Sequence, residues 1–153
     1  MTETEYERPG WRPVDPGWIP DTLRIPDPTP GEDAVIKVSS YAWVPRAIVF
    51  RLETSNPPGN RWIEVAYTFD DGYRFCRNVA AAVQAASIIR DYCGKAGQGA
   101  SELITTPGEP AVVCFPIEPL RLEPGSEVRI VITNRRGGDA LSGIALTVDR
   151  YAF

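Results

Sequence analysis

After Gly31 the chain alternates apolar and polar residues with a period of two, in one short run after another. Val35–Ile36–Lys37–Val38 opens the pattern, and Ile48, Phe50 and Leu52 then interleave with Val49, Arg51 and Glu53. Ile63, Val65, Tyr67 and Phe69 interleave with Trp62, Glu64, Ala66 and Thr68, and Tyr73, Phe75, Arg77 and Val79 form the returning run. Further runs cover residues 111–117, 127–133 (Val128, Ile130, Ile132 inward) and 141–151 (Ile144, Leu146, Val148 inward). Successive side chains of a strand point to opposite faces, so each run predicts a strand with one face buried. Turn signals separate the runs: Asn56–Pro57–Pro58–Gly59–Asn60, the hairpin-type Asp70–Asp71–Gly72, Glu123–Pro124–Gly125–Ser126 and residues 134–139. Residues 79–92 (VAAAVQAASIIRDY) are two-sided: the alanines favour helix, while residues 87–92 suit a strand. Residues 94–110 read as a long Gly/Pro/Thr-rich loop. The sum predicts an all-β fold, a single β-sandwich of about eight strands, with the jelly roll as the arrangement that fits this spacing.

The first 33 residues have a different texture. Seven of the fifteen prolines fall there, which forbids a helix and removes ladder donors from any sheet, leaving an extended or polyproline-like path. A flexible linker would lack large apolar groups, yet this segment carries Tyr6, Trp11, Trp18, Ile19, Leu23 and Ile25. Exposed tryptophans invite association, so these six residues are the expected anchors, against the chain's own body or a neighbouring subunit. The predicted organisation is an extended arm, residues 1–33, and a β-sandwich domain, residues 34–153.

Composition narrows the chemistry. With 153 residues, 43% hydrophobic and 24% charged, the chain holds one ordinary domain with a real core. It contains no histidine, which removes the usual general base, the usual metal ligand and every Ser-His or Cys-His pair. Eight acids and three arginines in residues 1–33 give that segment −5, and the remaining residues carry +1, so no basic stripe awaits a phosphate backbone. Three cysteines, Cys76, Cys93 and Cys114, form neither a disulfide framework nor a zinc set; Cys76 and Cys114 are expected to be buried thiols and Cys93 a more accessible one. The acidic start is the opposite of a secretory n-region, and no apolar run is long enough to cross a bilayer. The expectation is a soluble protein made in a reducing cytoplasm, with no cofactor, no metal, no nucleic-acid or membrane partner and no catalytic residue.

Individual motifs add little. Gly94–Lys95 lacks the P-loop's upstream glycine and following Ser/Thr. Asp70 and Asp71 read as a plain turn rather than half of a calcium or acid/base site, Arg135–Arg136 as solvated loop residues rather than an anion clamp, and Asp139 and Asp149 lack partners at useful spacing. Trp43 and Trp62 could form a sugar-stacking platform but suit packing positions better.

From Arg46 onward the order of motifs is more informative. Gly59–Asn60–Arg61, Asp71–Gly72, Val83–Gln84–Ala85–Ala86–Ser87, Leu120–Arg121–Leu122–Glu123–Pro124–Gly125 and Gly138–Asp139–Ala140–Leu141–Ser142 together resemble a loose family of small tailed-bacteriophage virion proteins with a single β-sandwich. The resemblance covers about 110 residues and excludes the acidic arm. It implies that residues 82–92 are a strand, and it implies a structural, non-enzymatic role: a capsid decoration or cement protein on the head exterior, made in the host cytoplasm. Its partners would then be the major capsid protein or other virion proteins and further copies of itself, a trimer being one form. The arm would grip neighbouring subunits, since prolines reduce the entropy lost on ordering. The 14 arginines against 2 lysines suit interface forks. Two alternatives remain open: a head-fibre or tail-associated protein, and a carbohydrate-binding module using Trp43 and Trp62.

Overall fold

The period-two pattern becomes ten β-strands in a computed structural model that describes residues 17–151, and no helix occurs among them. They are β1 (Trp18–Arg24), β2 (Ala34–Lys37), β3 (Trp43–Glu53), β4 (Arg61–Thr68), β5 (Arg74–Gln84), β6 (Ile89–Lys95), β7 (Glu102–Ile104), β8 (Ala111–Pro116), β9 (Glu127–Thr133) and β10 (Ala140–Tyr151). Two sheets result, a six-stranded one in the order β1-β10-β3-β6-β8-β7 and a four-stranded one in the order β2-β9-β4-β5. All pairings are antiparallel except β6 with β8.

One core lies between the sheets. The six-stranded sheet supplies Ile48, Phe50, Leu52, Tyr92, Val113, Phe115, Leu146 and Val148, and the four-stranded sheet Ile36, Ile63, Val65, Tyr67, Val128, Ile130 and Ile132. These are the inward positions of the alternating runs, since burying each apolar face against the other sheet is what removes it from water. Phe50 and Tyr92, neighbours in the register of β3 and β6, stack at 5.0 Å.

Several expectations change. About eight strands become ten among the described residues, because β1 and β7 arise in segments read as arm and loop. Trp18–Arg24 pairs with β10 from Trp18↔Tyr151 to Arg24↔Ala145. Pro20 is tolerated there because β1 is an edge strand, which uses only half its backbone donors. The loop expected over residues 94–110 contains β7, paired antiparallel with β8.

Residues 82–92, expected as one strand, are divided between β5 and β6 by a turn at residues 85–88. Ser87 takes the left-handed conformation there (φ 58°). The turn is held from a distance: the Thr54 hydroxyl donates to the Ala85 carbonyl at 2.6 Å and accepts from the Ile88 amide at 3.0 Å. Periodicity cannot announce a turn that a residue 30 positions away secures. The face of β5 also differs from the simple reading, since Arg77 and Val79 point to solvent while Asn78, Ala80 and Gln84 are buried.

Gly94, expected as the start of the surface loop over residues 94–110, lies inside β6 instead. A Cβ at this position would sit 2.8–2.9 Å from Ile117, Phe115 and Ile48, all core side chains. The sheet closes over its core only because that atom is missing. Gly94→Ala is therefore expected to destabilise by about 1–3 kcal/mol through overpacking. A denaturant midpoint unchanged from the parent in urea titration would refute this.

Candidate functional site

The ends of the two-sheet body differ in character. At one end, where β4 begins and β10 begins, polar side chains are buried in a single network. Arg61 and Asp139 have no solvent-exposed side-chain surface and meet through two parallel hydrogen bonds, Nε to Oδ2 at 2.9 Å and Nη2 to Oδ1 at 3.0 Å. The remaining Arg61 donors reach the Gly59 and Ser55 carbonyls. Asp139 accepts further bonds from the Ser55 amide and hydroxyl, both at 2.8 Å, and from the Arg136 amide at 2.9 Å. Burial pushes the Asp139 carboxyl up, but the bonds from Arg61, Arg136 and Ser55 outweigh it and hold the group well below the usual carboxylate range.

Gln84 continues the network. Its amide donates to the Leu52 and Ile88 carbonyls, and its carbonyl accepts from the Tyr92 hydroxyl at 2.8 Å. Burial raises the Tyr92 phenol to about 12, so it stays a donor. Five pieces scattered in the sequence thus converge: Thr54–Ser55, Gly59–Asn60–Arg61, Gln84 with Ser87, Tyr92 and Gly138–Asp139. Sequence reading singled out three of these groups by resemblance (Gly59–Asn60–Arg61, Gln84 with Ser87, and Gly138–Asp139) without seeing that they touch, and it found no partner for Asp139. The signal was there in the pairing of one GNR and one GD piece, but only topology brings residues 78 positions apart together. With each Arg61 side-chain nitrogen and both Asp139 carboxylate oxygens engaged internally, this end is built to hold shape.

The opposite end is aromatic. At the β4–β5 hairpin, Phe69 stacks on Phe75 at 4.4 Å and on Tyr73 at 6.1 Å, and Tyr67 lies 6.4 Å behind Phe75. Phe69 and Tyr73 are exposed, Tyr73 by 66%. A shallow depression runs from Phe69 and Phe75 to Arg121 and residues 123–126. Arg121 in turn lies over the rings of Trp18 (5.5 Å) and Tyr151 (5.8 Å), which meet edge to face at 5.2 Å. The hairpin and the base of the N-terminal segment therefore form one aromatic surface bridged by an arginine.

The expected anchors separate accordingly. Tyr6 and Trp11 lie outside the described residues. Trp18 belongs to the aromatic end, Leu23 and Ile25 pack partly buried against the body's own core, and Ile19 is 48% exposed on the outer face of β1. Of the two residues considered as a sugar platform, Trp43 is a core residue at the start of β3 while Trp62 is exposed on the other sheet, so they share no face. Asp70 and Asp71 form the hairpin turn, with the Asp71 carboxylate accepting from the Tyr73 amide at 2.9 Å. Arg135 pairs with Asp33 at 2.7 Å and Arg136 bonds Asn134 and the Pro58 carbonyl, so both are tied into the loops around them. Asp149 pairs with Arg46 at 2.6 Å. Among the described residues no group of three His, Cys, Asp or Glu side chains is placed to hold a metal ion. Comparison with known proteins found no matching family model, curated protein or solved structure.

Removing the Asp139 carboxylate would strand a buried guanidinium and two backbone amides. Asp139→Ala is expected to cost about 3–5 kcal/mol, read as a lower melting temperature. The pH dependence follows from the lowered carboxyl. An unfolded aspartate takes up its proton near pH 4, the folded one only at much lower pH, so the unfolded state binds more protons between the two. Stability should fall as pH drops below about 4, with a shallower fall in Asp139→Ala; equal slopes for parent and variant would place the acid sensitivity elsewhere.

Proposed function

We propose that this chain is a non-enzymatic virion structural protein of a tailed bacteriophage, a decoration protein that binds the capsid exterior and uses its N-terminal segment to grip neighbouring subunits. The strand order supports the finer fold reading: β1-β10-β3-β6 facing β2-β9-β4-β5 is the order of a jelly roll made of two Greek keys, with β7 and β8 widening one sheet. The observation that carries the functional reading is the aromatic end. Exposed Phe69 and Tyr73, half-buried Phe75, and the Trp18–Arg121–Tyr151 stack form an aromatic-and-arginine surface at the base of the proline-rich, acidic segment. Aromatic and arginine side chains are the groups that dominate binding energy at protein interfaces. The partners on this reading are the major capsid protein and further copies of the chain. The two-tryptophan glycan platform loses support because Trp43 is interior.

Immunogold labelling of particles made by the phage genome that carries the gene tests the assignment. Label on heads is the expected result; label on tails or head fibres would favour the fibre or tail reading, and unlabelled particles would overturn the virion assignment altogether.

Oligomerisation is tested on a cut that spares the sheet. Because β1 pairs with β10, removing residues 1–33 would strip an edge strand, whereas removing residues 1–16 leaves it in place. Light scattering should give an oligomer for the full chain and a smaller species for residues 17–153. Equal masses would exclude the segment as an intersubunit clamp in free solution. Trp11→Ala with Trp18→Ala should at least reduce head attachment tenfold in co-sedimentation while thermal unfolding remains cooperative.

A further inference from the structure

Two of the three cysteines are placed side by side. Cys93 in β6 and Cys114 in β8 are register partners in the single parallel pairing among the described strands. In β6 the flanking Tyr92 and Gly94 are buried, and in β8 the flanking Val113 and Phe115 are buried, so both cysteines face outward from the six-stranded sheet. Both are partly exposed and neither is in a disulfide. A shallow groove lined by Val49, Arg51, Asp91, Cys93 and Val112 runs along this face and gives reagents access. Cys114, expected from sequence as a buried inert thiol, is thus half of a surface dithiol; Cys76 is on β5 in the other sheet, packed against the core.

We propose that Cys93 and Cys114 are a thiol–disulfide exchange site that closes a cross-strand disulfide when it meets a low-molecular-weight disulfide. Neighbouring strands lie about 4.8 Å apart, within the Cα separation of roughly 4.4–6.8 Å that a disulfide spans. In the first step one cysteine thiolate attacks the small disulfide, forms a mixed disulfide and releases one small thiolate. In the second, the neighbouring cysteine loses its proton and attacks the protein-bound sulfur, forming the Cys93–Cys114 bond and releasing the second small thiol. Two protein thiols are oxidised and one small disulfide is reduced to two thiols, with no other reactant.

Proximity, not acidity, drives the second step. Burial pushes the Cys93 thiol up, the adjacent Cys114 adds to this and Lys95 opposes it, so Cys93 is not an unusually reactive thiolate. Its partner is nonetheless held next to the mixed disulfide at a concentration no free thiol reaches. The bond would join β6 to β8 and lock the intervening β7 excursion to the sheet. This site does not depend on the virion assignment.

The test incubates the folded full chain with oxidised glutathione, then unfolds it in iodoacetamide and measures intact mass and linked peptides. The expected product carries a single alkyl group, on Cys76, and a Cys93–Cys114 cross-link. Cys93→Ser and Cys114→Ser should each stop at a mixed disulfide carrying one glutathionyl group on the remaining member of the pair. Three alkylated cysteines, a wild-type chain that accumulates the mixed disulfide without closing, or a cross-link through Cys76 would each overturn the proposal.

Discussion

A guanidinium and a carboxylate with no access to water fix one end of this protein. Ions in such a place are tolerable only when they pair closely and find further hydrogen bonds, and Arg61 and Asp139 do so by recruiting Ser55, Gly59 and Arg136. The consequence is topological. Arg61 opens β4 in one sheet, and Asp139 immediately precedes β10 in the other, so satisfying the pair also sets how the two sheets meet. Ser55 follows β3, and Thr54 beside it holds the β5–β6 turn, so the same cluster governs three connections at once, β3–β4, β5–β6 and β9–β10. Apolar burial supplies the drive to collapse, but it is indifferent to small slides of one sheet over the other; a bidentate ion pair is not.

Much of the architecture was legible because each sheet buries one face. Val128, Ile130 and Ile132 in β9, and Ile144, Leu146 and Val148 in β10, are core residues as their alternation requires. What periodicity missed was held by long-range contacts. The turn at residues 85–88 depends on Thr54 and Gln84, so the run from Val83 to Tyr92 gave no local warning of it. β1 was hidden by Pro20 and by the prolines on either side of it; Pro20 is compatible with an edge strand but not with a central one. Arg61, Gln84 and Asp139 were noticed only as parts of a resembling motif order, since nothing in a linear sequence says that a GNR and a GD will share a hydrogen bond. The cysteine pair was hidden for the same reason: 21 positions apart in sequence, they become neighbours only because β8 lies parallel to β6.

The two ends divide labour in a way that suits a small part of a larger assembly. The polar end is internally satisfied and offers partners little. The aromatic end leaves Phe69 and Tyr73 uncovered and places Arg121 between them and Trp18. Rigidity at one pole and adhesive surface at the other is what the proposed decoration role asks of a single small domain.

The attachment of β1 to β10 has a mechanical meaning. Tension carried by the N-terminal segment enters the body at Gly17 and passes straight into the β1–β10 ladder, which extends from Trp18↔Tyr151 to Arg24↔Ala145. Pulled along the strand axis, the rungs of that ladder share the load and must slip together. Pulled sideways, they would open one by one from Trp18, where the interlocked Trp18, Tyr151 and Arg121 rings and guanidinium meet the force first. The strand is a cleat as much as a piece of sheet, strong against a lengthwise pull and reinforced at the one corner where peeling begins.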